Sequence, residues 1–300
     1  MFTMNSLPLA KRAQILGLLV EGMSLRAITR VADCSINTVT KLLVDVGQAC
    51  AEYQDRTLRN LKCRRIQCDE IWAFVGSKKK NVRPEHKGIF GVGDVWTWTA
   101  LDADSKLMCS WMIGTRGAKA AETFLADLYP RLANRVQLTT DGHKVYADAV
   151  EDTFGTDVDY AMLVKVYGDD EPKRNADRKY SPSEFVCATK TKMIGDPDMD
   201  HVSTSYVERS NLTLRMSCRR FTRLTNAFSK KVENHAHAIA LHFMYYNFGR
   251  IHKTLRVTPA MQAGIADHVL SLEEIAALVP EPIARKRGSY KKRESKEIAL

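Results

Sequence analysis

Three carboxylates occupy positions that their surroundings do not obviously favour. Asp69 lies inside "RIQCDEIWAFVGS", an otherwise largely apolar and aromatic run. Asp141 closes "VQLTT" and opens "DGHK". Glu208 sits near the head of a basic stretch, "VERSNLTLRMSCRRFTR". A carboxylate within an apolar element is costly unless it has a partner. Three that converge repel one another unless divalent cations lie between them, and hard oxygen ligands suit Mg²⁺ or Mn²⁺. Two such ions about 3.5–4 Å apart stabilise both the attacking and the leaving oxygen at a phosphodiester. The chemistry implied is metal-dependent phosphoryl transfer on nucleic acid.

Taken singly, each carboxylate also has a structural role to fill. Asp141 begins an Asp-Gly turn. Ser205 and Glu208 fit the S-x-x-E capping box, which needs no metal. Glu208 cannot easily complete that box and also face a metal; with Asp69 and Asp141 upstream and an arginine stripe downstream, it is assigned to the metal and Ser205 is left as a one-sided cap. Glu70 is expected on the sheet face opposite Asp69, and so outside the site. Asp102 and Asp104 belong to a hairpin turn. His235, His237 and His242 share one helix, but no acidic or cysteine partner accompanies them, so packing is favoured over metal binding.

The elements that must position these groups follow from periodicity. Residues 8–21 form a helix, and Ser24 caps a second, "LRAITRVA". A third, "INTVTKLLVDVGQAC", starts after the turn "DCS". The last two describe a helix-turn-helix, with Asn37, Thr38, Thr40 and Lys41 toward a major groove and Ile36, Val39, Leu42 and Leu43 packed inward. From about residue 65 the order is strand, strand, strand, helix, strand, helix, strand. That order gives an α/β fold, a mixed central sheet with helices on its faces. Asp141 then falls at the carboxyl end of a strand, where such sheets place their ligands. If the first strand neighbours that one, Asp69 and Asp141 converge. Residues 168–202, broken by Pro172, Pro182, Gly195 and Pro197, read as an excursion from the sheet. Helices from about 206 and from about 229 to 249 follow.

The chain has 300 residues, a net charge of +10 and 45% hydrophobic residues, so it can bury a real core and suits a polyanionic partner. No apolar run approaches the ~20 residues of a membrane span. The N-terminus lacks the pattern of a signal peptide, and a cytosolic protein is expected. Seven scattered cysteines are not a disulfide framework, and Cys63 and Cys68 lack partners for a zinc site.

Four blocks carry a resemblance: "CDEIWAFVGSKKK", "LTTDGHKVY", "STSYVERSNLTLRMSCRRFTRLTNAFSKK" and "YYNFGRIHKTLRVTPAMQAGI". In order and spacing they resemble transposases of the insertion-sequence-one family, DDE transposases with an RNase H-like core, over roughly residues 65–265. The resemblance implies a catalytic triad of Asp69, Asp141 and Glu208 with two Mg²⁺ ions, for which Mn²⁺ can substitute. It implies cleavage at element ends by water and joining of a 3′-hydroxyl to target DNA. The helix-turn-helix would then read terminal inverted repeats of double-stranded DNA. Two ends handled together imply a homodimer or a larger homo-oligomer, in a prokaryotic cytoplasm at the nucleoid.

The expected organisation is a helix-turn-helix domain at 1–55, a linker at 56–64, a catalytic domain at 65–265 and a basic tail at 266–300. Glu208, Asn211 and Arg215 share one helical face. Arg219 continues that face, with Arg220 and Arg223 beside it, and these residues are expected to hold the DNA strand. His252 and Lys253 support the same region. The alternative is a transposase-derived, sequence-specific DNA-binding regulator with a silent core. A stand-alone RNase H-like nuclease is a third reading.

Overall fold

The computed structural model of the protein describes residues 7–167, 185–222 and 226–280. Helices α1 (Leu9–Val20), α2 (Leu25–Ala32) and α3 (Ile36–Thr57) come first. Ser24 accepts from the Ala27 amide at 3.2 Å and Ser35 from the Thr38 amide at 3.1 Å, so both later helices begin at side-chain caps. Between them Asp33 adopts a left-handed conformation (φ 43°) that ends α2. Val39, Leu42, Leu43 and Val46 form the inward stripe of α3. Ile36, expected inward, is exposed, because it is the first helical residue and lies beyond the end of that stripe.

The sheet holds β1 (Arg65–Val75), β2 (Gly93–Asp102), β3 (Met108–Gly114), β4 (Val136–Asp141), β5 (Val158–Tyr167) and β6 (Phe185–Ile194). Its order is β3-β2-β1-β4-β5-β6. The first three strands form an antiparallel meander, β1, β4 and β5 run parallel, and β6 returns antiparallel to β5. This is the mixed central sheet, with helices on its faces, expected from the element order. β6 is a correction, since residues 185–194 lie in the sheet rather than in an excursion from it. Its residues 186–194 are largely exposed, so they lack the apolar alternation that marks a half-buried strand.

Alternation along β1 assigns its two faces. Ile66 and Cys68 join Trp98, Phe124 and Tyr146 under α4 (Ala118–Leu128) and α5 (Val145–Phe154). Ile71, Ala73 and Val75 join Val207, Leu214, Ile239 and Phe243 under α6 (Ser205–Ser217) and α7 (Val232–Met244). The α4–α5 cluster continues without a break into α1–α3. There α3 lies against α7 so closely that a Cβ added at Gly47 would stand 2.5 Å from His237 Cβ. Gln54 Nε2 also donates to the Ala240 carbonyl at 3.0 Å.

Two helix ends depart from expectation. α6 stops at Ser217, where Cys218 turns to an extended conformation (φ −104°, ψ 107°), and Arg219–Phe221 form a separate 3-10 turn. Burial of Cys218 and Phe221 in the α6–α7 cluster fixes that turn, so the arginine face does not run on as one helix. α7 begins at Val232 and ends in a π-helical turn, Tyr245–Gly249; the short helices α8 (Pro259–Gln262) and α9 (Leu272–Ala277) follow. Among the described residues no helix is long and apolar enough to cross a membrane.

Candidate active site

β1 and β4 pair from Arg65↔Gln137 to Cys68↔Thr140, and the ladder ends there. The next residues in register are Asp69 and Asp141. They meet at the carboxyl end of two central parallel strands, as the sequence predicts for neighbouring strands. Among the described residues one group of His, Cys, Asp and Glu side chains is close enough to hold a metal. It consists of Asp69, Glu70 and Asp141, with one oxygen from each within 4.8 Å of the others.

Glu70 joins this group although strand alternation places it on the sheet face opposite Asp69. Its backbone does face the α4–α5 side. Arg116 Nε donates to its Oε2 at 3.2 Å, and the guanidinium carbon stands 4.5 Å from the Trp96 ring centroid. Beyond the last β1–β4 rung, however, side chains from both faces reach the same opening. Asp69, Glu70, Ile71, Glu208, Asn211, Leu212 and Arg215 line one cleft of about 200 Å³.

Each cluster carboxylate is oriented. Asp69 Oδ1 accepts from the Glu70 amide at 2.8 Å, and Asp69 Oδ2 from Asn211 Nδ2 at 2.8 Å. Asp141 Oδ1 accepts from the His143 amide at 3.0 Å, the Asp-Gly turn contact expected of it. Burial, then the charges of Asp141 and Glu70, push the Asp69 carboxyl up to about 7, against the opposing bonds from Asn211 and the Glu70 amide. Burial and Asp141 likewise push Glu70 up to about 7, although Tyr146 and Arg116 favour its charged form. Burial first and mutual repulsion second thus make both groups resist ionisation more than a free carboxyl does.

Glu208 lines the cleft but faces other partners. Its Oε1 accepts from Thr204 Oγ1 at 2.7 Å and from the Lys165 ammonium on β5, and its side chain is 43% exposed. The helix start is also a correction. Thr204, not Ser205, is the N-cap residue of α6, and its side chain makes no capping bond. Gln67 Oε1 instead accepts from the Tyr206 and Val207 amides, each at 3.0 Å, so β1 satisfies two of the four orphan donors of α6. Gln67 shares a face with Asp69, and one strand therefore holds both the acidic centre and the helix above it.

The remaining predicted residues scatter more widely. Asn37 and Lys41 are exposed on α3, with Lys41 paired to Asp45 at 2.5 Å. Thr38 Oγ1 bonds Ser35 Oγ at 2.8 Å and Thr40 Oγ1 donates to the Ile36 carbonyl at 2.8 Å. Asn211 is buried on Asp69, away from the surface. Arg215 lines the cleft, while Arg219 and Arg220 are half-buried in the 3-10 turn, where burial lowers the Arg220 pKa. His252 lies in the loop after Gly249, its amide donating to the Val257 carbonyl at 2.9 Å, and Lys253 beside it is exposed. Arg223 and the basic tail from residue 281 lie outside the described residues. His235 and His242 are buried in packing, with His235 Nδ1 3.0 Å from Ser229 Oγ.

No family model matches the chain, and no curated protein does. Solved structures of low identity do. One is a cryo-EM structure of the piggyBac transposase synaptic complex with hairpin DNA, with a TM-score of 0.45 and 12% identity over 90% of this chain and 70% of that one. The Mos1 mariner paired-end complex with Mn gives a TM-score of 0.27 and 13% identity over 81% of this chain and 78% of that one. A Mos1 transposase paired-end complex with the left transposon end gives 0.24 and 17% over 53% and 60%.

Proposed function

We propose that the chain is a DNA transposase that cleaves and joins strands with divalent cations. The observation that supports this best is the meeting of Asp69, Glu70 and Asp141 oxygens within 4.8 Å in a chain of net charge +10. Asp69 and Asp141 hold the cations, and Glu208, which shares the cleft with Asp69, is the third ligand of the triad. Two Mg²⁺ ions, or Mn²⁺ in their place, would activate water or a 3′-hydroxyl and offset charge at the phosphodiester when bound. The chain's own residues supply orientation. Asn211 and the Glu70 amide fix Asp69, the His143 amide fixes Asp141, and Arg215 sets a cation beside the strand.

The finer reading is an insertion-sequence-one family enzyme. α2 and α3 act as a helix-turn-helix that presents Asn37, Thr38, Thr40 and Lys41 to the terminal inverted repeats. Residues 1–55 form the recognition unit and 65–265 the catalytic unit, with Arg219, Arg220, His252 and Lys253 holding the strand. Two copies or more bring both ends together. Asp141→Asn tests the assignment: it should bind a duplex carrying the element end as the wild type does, yet lose Mg²⁺-dependent cleavage. Cleavage at the wild-type rate by that variant overturns it.

A second reading, a DNA-binding regulator with a silent core, is favoured by one observation, the engagement of Glu208 with Lys165 and Thr204. Absence of cleavage by the wild type in Mg²⁺ or Mn²⁺, with end binding intact, selects it.

A further inference from the structure

We infer that Glu70 is a fourth metal-binding carboxylate, joining the cation held by Asp69 and Asp141 while Arg116 fixes its outer oxygen. The inference rests on the metal-dependent reading above and adds a residue to its site.

Three observations converge on it. A Glu70 oxygen lies within 4.8 Å of oxygens from Asp69 and Asp141, a spacing that one shared cation can bridge. Its side chain is only 1% exposed, and its Oε1 has no hydrogen-bond partner among the described residues. The Tyr146 hydroxyl is near enough to favour the charged carboxylate, but it too lacks a partner of hydrogen-bonding geometry. Glu70 also lines the cleft shared by Asp69 and Glu208.

A plain ion pair with Arg116 leaves this arrangement unexplained. Arg116 meets only Oε2, from a half-exposed position, and offers nothing to the buried Oε1. A buried, unpartnered carboxylate oxygen beside two further carboxylates is strongly unfavourable without a cation. A cation removes both penalties, since it ligates the orphan oxygen and offsets the clustered charge. The division of labour is the usual one around a metal, with one oxygen on the ion and the other held by an outer partner that fixes its direction. Four carboxylates also match the charge of two divalent ions, whereas the triad alone leaves one positive charge over.

The test is Mn²⁺ binding to the full-length chain without DNA, measured by calorimetry and by electron paramagnetic resonance. Glu70→Gln keeps an acceptor for Arg116 and removes the charge. It should weaken Mn²⁺ binding at least about tenfold and raise the number of waters on the bound ion, a change that a purely structural residue would not produce. Asp141→Asn serves as the reference and should lose binding altogether. If Asp141→Asn loses Mn²⁺ but Glu70→Gln stays within twofold with unchanged hydration, Glu70 is not a ligand and the wider reading stands. If the wild type binds no Mn²⁺, or Asp141→Asn binds it normally, the metal-dependent reading falls and Glu70 with it. Should Glu70→Gln fail to fold, Glu70→Asp, which draws the carboxylate back by one methylene, must show the same added water. Unchanged hydration in that variant overturns the proposal.

Discussion

Asn211 on α6 donates to Asp69 on β1 at 2.8 Å, and this contact ties the helix that carries Glu208 to the acidic centre of the sheet. Asn211 Oδ1 turns the other way, 3.5 Å from Thr99 Oγ1. The amide therefore orients the Asp69 carboxylate from the helix above it.

Its removal should be felt at the metal. Asn211→Ala leaves Asp69 Oδ2 unheld, and outer-partner losses of this kind cost about 10–100-fold in metal affinity. The expected result is a Mn²⁺ half-saturation raised about tenfold, read by calorimetry, with a melting temperature within a few degrees of wild type.

Lys165 predicts a change of opposite sign. It engages Glu208 and would compete with any cation for that carboxylate. Lys165→Met should lower the Mn²⁺ half-saturation several-fold, and titrations at equal ionic strength check this. A weaker affinity in the variant would show that Lys165 supports the site rather than competing with it.

The pH dependence follows from Asp69 and Glu70. Both are raised to about 7 in the folded, metal-free chain, against about 4 when unfolded. Between those values the folded state holds more protons than the unfolded one, so stability falls as pH rises through about 4–7. The destabilisation is complete above pH 7 and absent below pH 4. Asp69→Asn removes one source of it. In chelator, that variant should melt about 2–5 °C above wild type at pH 8, and the gap should close by pH 4.5. Thermal melts at the two pH values decide.

Gly47 tests the seam between α3 and α7. An added methyl would meet His237 Cβ at 2.5 Å and the His237 carbonyl oxygen at 2.7 Å, so the two backbones must part. Gly47→Ala should cost about 1–3 kcal/mol despite its better helix propensity. Denaturant midpoints measure this, and a neutral or stabilising result would mean that the helices do not pack so closely.

The approach of Asp69 to Asp141 was legible because two rules agree there: strand alternation and the placement of sites at carboxyl ends of parallel strands. Glu70 escaped because alternation predicts separate faces, and two faces can meet where a ladder stops. Only the register, ending at Cys68↔Thr140, reveals that stop. Asn211 was legible as a residue of the right helical face, though not as a partner of Asp69, since helical periodicity gives direction but not depth of burial. Gln67 carried a weak signal, its i, i+2 relation to Asp69, and Ser205 a misleading one, because a sequence motif cannot show that a distant side chain already serves the same amides. β6 was hidden by its exposed, lysine-bearing residues, which give no apolar stripe to detect.

Helix α3 is a single rod of 22 residues, about 33 Å long. Its first two turns are open to solvent at Asn37 and Lys41, and its later turns are locked onto α7 through Gly47 and Gln54. α7 in turn roofs the sheet face that carries Asp69. Such a rod is a ruler: whatever is grasped at its free end is held at a fixed distance from the carboxylates, and that distance is set by turns of helix rather than by the slack of a tether.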